Sequence, residues 1–426
     1  MPLDDVKYKR YKEIKSLLNH SSSGIEYNKV ISINILLILF NFEKITYGGI
    51  IKQFFKRLDF TSLRNVFQER STVLTSGSFD DRQDCVDQIN LTLKCLGNAG
   101  YLSLNNLNSL LNFSPIRAVK LCFFVAYKLR TKLTLKEHLH LASCLCYYSN
   151  CYDELEKQFS GMDLSKKKYV AFHSSFGIEA LTTQFFRQRG IETFSLSHGL
   201  SYINYRKMVP IDIIGGENIT AEKVIVWGES SKLDLISNFS FPEDNIKIGG
   251  NLKYAEKKVS VKKTFRCCLI LLGRAIYDKG NKDILDIAYK LKQSSGIDFK
   301  IKLHPSLDRE EYEKLANNLN LKLIPSNQTI VMALGSDQFD FAIVNNSNTY
   351  YESMYYGLLC FRYEPDENDI FFGLDDRFSD VNSILDKINL YQEMESAMLN
   401  QQVTNLLKFA LGIGVNNYSK IIDGNE

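Results

Sequence analysis

Apolar positions in this chain come in short runs rather than long stripes. Residues 28–41 (NKVISINILLILFN) form the most apolar stretch of the N-terminal part and read as a buried strand between charged helical segments. Residues 71–76 (STVLTS) are a second strand candidate, running into Gly77-Ser78-Phe79-Asp80-Asp81 and then a helix over 82–96. From 102 to 159 apolar residues recur at three- and four-residue spacing with little turn chemistry, which predicts helix.

From residue 168 the pattern becomes an alternation. Strand 169–172 precedes helix 178–189, which Gly190 closes; strands 193–196 and 223–227, a helix after Gly228 and strand 246–249 follow. Residues 252–263 (LKYAEKKVSVKK) lose the apolar pattern and read as a linker. The alternation then restarts with strand 267–272, helix 282–293, strand 299–303, helix 309–319, strands 321–324 and 341–344 and helix 350–356, with a helical end over 381–409. Strands alternating with helices imply βαβ units and parallel sheets. The expected fold is therefore α/β, with two doubly wound domains. An N-terminal domain spans 1–255, a C-terminal domain 264–400, and a helix over 401–426 packs back on the first. Such a pair places a cleft between the carboxyl edges of both sheets, and ligands bind there on loops that follow strands.

Several of those loops carry chemistry. Lys302-Leu303-His304-Pro305-Ser306 directly follows a strand; its imidazole can donate to a phosphate or a leaving oxygen, and Pro305 fixes the backbone beyond it. Asn345-Asn346-Ser347-Asn348-Thr349 opens a helix, where Ser347 and Thr349 are either caps or phosphate ligands. Glu352 lies in the first turn, either as a complement to the helix dipole or as an acceptor for two ribose hydroxyls. After strand 267–272 comes Gly273-Arg274, a close backbone approach beside a guanidinium suited to phosphate. In the N-terminal half, Ser174-Ser175-Phe176-Gly177 with Glu179, and Ser197-His198-Gly199, follow strands of one sheet. His198, Glu179, Asp80 and Asp81 are the candidate general bases for an acceptor hydroxyl, or loop side chains without that role.

Composition narrows the partners. The chain has 426 residues, which suits two domains better than one core, and a net charge of +3, too small for a nucleic-acid binder. Its nine cysteines include no paired C-x-x-C sets, so scattered thiols in a reducing compartment are expected, and neither H-E-x-x-H nor a D-x-D after a strand of the second half supports a metal. Residues 1–15 are charged without the apolar centre of a signal peptide, and the apolar run 35–40 is too short to span a bilayer, so a cytoplasmic location is expected. Segment 116–136 interleaves Arg117, Lys120, Lys128, Arg130, Lys132 and Lys136 with Phe123, Phe124 and Tyr127. That pattern more often belongs to an ordinary amphipathic helix with a solvated basic face; contact with an anionic inner-membrane surface is the alternative.

The segments RGIETFSLSHG, KVIVWGESS, IKIGGN, KIKLHP and NNSNTYYESMYYG, spread over about 168–362, resemble bacterial GT-B glycosyltransferases of surface-polysaccharide synthesis. Within that group the H-P motif followed by a Ser/Thr motif looks like sialyltransferases and polysialyltransferases, Kdo transferases and CDP-glycerol glycerophosphotransferases. The resemblance implies a GT-B fold of two Rossmann-like domains facing a central cleft. It implies an inverting, metal-independent transfer from a cytidine-type nucleotide sugar, such as CMP-sialic acid. The acceptor would be a hydroxyl of a capsule, O-antigen or lipooligosaccharide glycan, or of a lipid-linked oligosaccharide. Carried over, His304 and Pro305 contact the nucleotide phosphate, and Ser347 with Thr349 binds the same phosphate; the reading of the loops adds Gly273, Arg274, Asn346 and Glu352 to the expected donor site, and no cofactor is expected. The chain departs from the pattern at Ser347-Asn348-Thr349, where several relatives have adjacent hydroxyl residues, and at Asp80-Asp81, which lacks the glycine of the acidic base motif. A CDP-glycerol-type phosphotransferase, a non-hydrolysing nucleotide-sugar epimerase and a non-catalytic transferase partner are the alternatives.

Overall fold

A computed structural model describes residues 5–424 except 20, 23, 41–44, 70–72, 78–82, 98, 113, 198, 200, 205–209 and 366–369. Among these, two six-stranded sheets organise the chain, and every pairing within them is parallel. The first contains β1 (Val73–Gly77), β2 (Ala99–Ser103), β3 (Lys168–Ala171), β4 (Glu192–Leu196), β5 (Lys223–Val226) and β6 (Ile246–Ile248), in the order β6-β5-β4-β3-β1-β2. The second contains β7 (Cys267–Leu271), β8 (Asp298–Lys302), β9 (Lys322–Leu323), β10 (Phe341–Val344), β11 (Leu359–Tyr363) and β12 (Arg377–Phe378), in the order β9-β8-β7-β10-β11-β12. Numbered within its own half, the second order is 3-2-1-4-5-6, that of dinucleotide-binding domains. Its central strands are almost wholly apolar, as parallel strands covered on both faces must be.

Helices α1 (Leu135–Phe159), α2 (Gly177–Gln188), α3 (Pro210–Glu217) and α4 (Glu229–Phe239) belong to the first half. The second half has α5 (Asp278–Ser295), α6 (Arg309–Asn318), α7 (Thr349–Tyr355) and α8 (Ser396–Leu411). The linker packs on the second domain, where Tyr254, Val259 and Val261 enter its core. Beyond α8 the chain recrosses: α9 (Tyr418–Asp423) places Tyr418 and Ile422 in a cluster with Val170, Phe172, Phe194 and Ile225 of the first sheet. The crossing is close. A Cβ on Gly412 (φ +57°) would sit 2.1 Å from the Trp227 carbonyl oxygen, and one on Gly228 2.4 Å from that of Phe409.

Loops that follow the carboxyl ends of the two sheets meet one another. The Ile203 amide donates to the Ile370 carbonyl at 2.9 Å, and Arg274 pairs with Asp212 at 2.8 Å.

Three local expectations are corrected. The described part of the expected strand 28–41, residues 28–40, is not a strand; helices Tyr27–Val30 and Ser32–Leu39 occupy it, because a short apolar run buried on several sides suits either state. The stretch 102–159 is not continuously helical, since β2 and the short strand Ser109–Leu111 precede the helix Pro115–Leu129. Strands β11 and β12 were not anticipated: Arg362, buried within β11, breaks the apolar run that marks its neighbours.

Candidate functional site

In the second sheet β7 lies between β8 and β10, and the crossovers reverse direction between β7 and β10, the position at whose carboxyl ends open α/β sheets bind ligands. The loops ending β7, β8 and β10 carry Gly273-Arg274, His304-Pro305 and Asn345 to Thr349. These expected donor residues are thus brought to one edge of three adjacent strands.

Asn281 of α5 fastens two of those loops together. It is fully buried; its Oδ1 accepts from the Gly273 amide at 2.9 Å and from Asn345 Nδ2 at 2.9 Å, and its Nδ2 donates to the Gly273 carbonyl at 3.0 Å. Glycine is required at 273 because an added Cβ would lie 2.4 Å from the Asn345 carbonyl oxygen. Asn281 went unnoticed in the sequence, where a polar residue near a helix start carries no distinguishing signal.

His304 is half-buried, and its tautomer follows from its partners. The Ser306 amide, which can only donate, reaches Nδ1 at 3.1 Å; the Ser306 hydroxyl lies 2.9 Å from the same nitrogen and itself accepts from the Ala275 amide at 3.0 Å. Nδ1 is therefore an acceptor, so the neutral ring carries its proton on Nε2. Lys302, which flanks the motif in sequence, is turned aside and donates to the Gln328 carbonyl at 2.6 Å.

The loop after β10 is the least satisfied part of the region. Asn346 has φ +44° and 9% exposure, and neither its Oδ1 nor its Nδ2 has a hydrogen-bond partner among the described residues. Asn348 Oδ1 and Thr349 Oγ1 are likewise buried without partners there. Ser347 Oγ accepts from the Thr349 amide at 3.3 Å, while Asn348, at the N-cap of α7, makes no side-chain capping bond. A buried polar group left unpaired costs about 1–3 kcal/mol, and a left-handed asparagine adds strain. Four such atoms, on three residues, lie in this one loop.

Glu352 accepts from Tyr254 Oη at 2.7 Å and from Lys253 Nζ at 3.1 Å, which ties α7 to the linker. Arg274 donates to Asp212 of α3 at 2.8 Å, and Tyr202 donates to the same carboxylate oxygen at 3.2 Å. Burial, and then the Asp212 charge, push the Tyr202 hydroxyl well above its ordinary pKa, keeping it a donor.

In the first sheet the reversal lies between β1 and β3. Asp80 and Asp81, in the loop after β1, lie outside the described residues, as does His198. Glu179 is 1% exposed, and its carboxylate accepts from the His173 amide at 2.6 Å. It therefore fixes the β3–α2 loop instead of opening onto the cleft. That loop carries His173, half-buried, its ring tilted 50° to the Phe176 ring at 4.6 Å, with Nε2 against Gly215 of α3, where a Cβ would lie 3.3 Å away. His173 was missed, although Phe172-His173-Ser174 follows a strand just as His304 does.

Among the described residues no group of three or more His, Cys, Asp or Glu side chains is placed to hold a metal, and no disulfide links the nine cysteines. No described helix is long and apolar enough to cross a membrane.

No protein-family model matches the chain, and no curated protein is significantly similar to it. Among solved structures it is similar to UDP-GlcNAc 2-epimerase from Neisseria meningitidis bound to UDP-GlcNAc, with TM-score 0.46 and 15% identity over 83% of this chain and 98% of that one. It is also similar to the lipopolysaccharide outer core galactosyltransferase WaaB in its apo form, with TM-score 0.48 and 12% identity over 83% and 99%. For a mutant of S. aureus TarM the TM-score is 0.41 and the identity 15%, over 62% and 56%. Identities this low leave residue roles to be read from this chain's own geometry.

Proposed function

We propose that the protein is a glycosyltransferase whose nucleotide-sugar donor seats its phosphate at the loops ending β7, β8 and β10. The observation that carries this reading is the Asn346 amide, buried, left-handed and unpartnered among the described residues at the crevice of a dinucleotide-type sheet. In the proposed reaction His304 Nε2–H, the Asn346 Nδ2 group and the Thr349 hydroxyl donate to phosphate oxygens as charge builds on the departing nucleotide. A base from the facing domain takes the acceptor proton; His173 joins Asp80, Asp81 and His198 as a candidate. The H-P resemblance extends the proposal to a cytidine donor, a bacterial surface glycan as acceptor, and inversion without a metal.

Thermal unfolding with CMP, CDP, UDP or GDP tests the donor site, because a ligand that binds the native state raises the midpoint. Stabilisation by CMP or CDP above the others supports the cytidine assignment, and UDP or GDP prevailing overturns it. A flat response to all four removes the donor site. Product analysis with nucleotide sugar and no acceptor separates transfer from epimerisation, since an epimerase converts its substrate unaided.

Asn346→Gly gives a sharper test. Removing the unpaired amide and relieving the left-handed backbone should stabilise the free protein by about 1 kcal/mol, net of the extra chain entropy of glycine. The same change should abolish most of the nucleotide-induced rise in midpoint. A variant stabilised by nucleotide as strongly as wild type would show that Asn346 does not meet the phosphate.

Arg274 cannot serve a phosphate while Asp212 holds it. Asp212→Asn releases the guanidinium, and nucleotide affinity measured by titration calorimetry should rise about threefold, the scale of a partly exposed ion pair. Weaker binding instead would place Arg274 outside the donor site.

A further inference from the structure

The helix Pro115–Leu129 has no part in the proposed reaction, and its two sides differ. Leu121, Val125 and Leu129 are buried on the side that packs on α1. The opposite side carries Ile116, Val119, Phe123 and Tyr127 at 71, 55, 73 and 68% exposure. Their spacing of three, four and four residues aligns them in one stripe. Exposed apolar residues scattered singly are ordinary, whereas an aligned set marks an interaction surface. Leu135, at the start of α1, is 73% exposed as well.

Charge identifies what the stripe meets. Between Asp87 and Glu137 the sequence has no acidic residue, while it has Lys94, Arg117, Lys120, Lys128, Arg130, Lys132 and Lys136. Arg117 is offset by Asp153 at 2.6 Å, and Lys132 by Glu13. Lys120, Lys128 and Arg130 are exposed and form no ion pair among the described residues. A symmetric contact between two copies centred on this stripe would set these cations against their own counterparts, which opposes association. An anionic lipid surface takes both features at once, with aromatic and aliphatic side chains among the headgroups and ammonium and guanidinium groups beside the phosphates.

We infer that the helix Pro115–Leu129 docks the protein on an anionic membrane surface, lying in the plane of the interface with Phe123 and Tyr127 inserted. The inference stands apart from the donor site, so loss of nucleotide binding leaves its test intact.

The test is sedimentation of the full chain with vesicles of equal parts phosphatidylglycerol and phosphatidylcholine, against pure phosphatidylcholine. Binding is expected on the anionic vesicles and should weaken with added salt. Phe123→Asp should lower it roughly tenfold or more. Lys120→Gln with Lys128→Gln should lower it roughly fivefold for each cation removed. All three replaced side chains are exposed, so unchanged circular dichroism and an unchanged unfolding midpoint accompany the expected result. Equal binding to both vesicle types, or binding indifferent to Phe123→Asp, overturns the inference. So does a wild-type oligomer in light scattering that Phe123→Asp converts to monomer, which would make the stripe a protein interface.

Discussion

His304→Ala is expected to reduce turnover at saturating donor by about 100- to 1000-fold, the scale of removing one preorganised donor from a developing negative charge. Folding should hardly change. The ring is half-buried, and its partners include the backbone and hydroxyl of Ser306, two residues on. The unfolding midpoint should therefore stay within about 0.5 kcal/mol of wild type, as for other substitutions away from the core. Two companions separate chemistry from support. His304→Gln restores an N–H donor of similar reach and should recover part of the loss. Ser306→Ala keeps the backbone amide that holds Nδ1 as an acceptor but removes the hydroxyl that links the ring to the Ala275 amide; its effect should be smaller and fall on kcat more than on KM. Wild-type turnover in a folded His304→Ala protein would mean that another group stabilises the leaving phosphate.

Much of this site was legible because its positions obey one rule, that loops after parallel strands hold the ligand. Residues 267–272, 299–303 and 341–344 announce themselves as strands by apolar runs, and Gly273, His304 and Asn346 follow from where those runs stop. The N-terminal half was harder. Strand β2 has the sequence Ala-Gly-Tyr-Leu-Ser, only partly buried and without a clear period, so nothing separated it from the helical surroundings. The run 28–41 is apolar at nearly every position, and burial by neighbouring elements, invisible in sequence, decided for helix. Pairings across the cleft were illegible for a related reason. Arg274 and Asp212 lie 62 residues apart, and their contact depends on how two domains meet. The same holds for Glu352, whose partners Tyr254 and Lys253 sit in a linker that sequence alone presents as solvated.

Arg362→Met should destabilise the C-terminal domain by about 3–5 kcal/mol, the cost of stripping a buried charge of its partner. Arg362 is 2% exposed. Its Nε donates to Asp376 at 2.6 Å, and its Nη groups to the Phe371 and Leu374 carbonyls at 2.8 and 2.7 Å. Asp376 is fully buried and also accepts from the Tyr350 hydroxyl, and the Glu364 carboxylate lies 3.6 Å from the guanidinium. Methionine fills a similar volume but leaves both carboxylates uncompensated in the interior. Lysine keeps the charge yet cannot donate in three directions, so Arg362→Lys should recover little. Gly373 reports on the same packing: a Cβ there would lie 2.2 Å from the guanidinium carbon, and Gly373→Ala should cost about 1–3 kcal/mol through overpacking. The consequence reaches the loop after β10, because Tyr350 lies in the first turn of α7, directly after Asn346 to Thr349, and its hydroxyl accepts from the Leu374 amide at 2.9 Å. Loosening the network should therefore weaken nucleotide binding in any Arg362 variant that still folds. Denaturant unfolding followed at the C-terminal domain decides the matter; an Arg362→Met midpoint equivalent to less than about 1 kcal/mol of loss would show that water or backbone movement compensates the buried carboxylates.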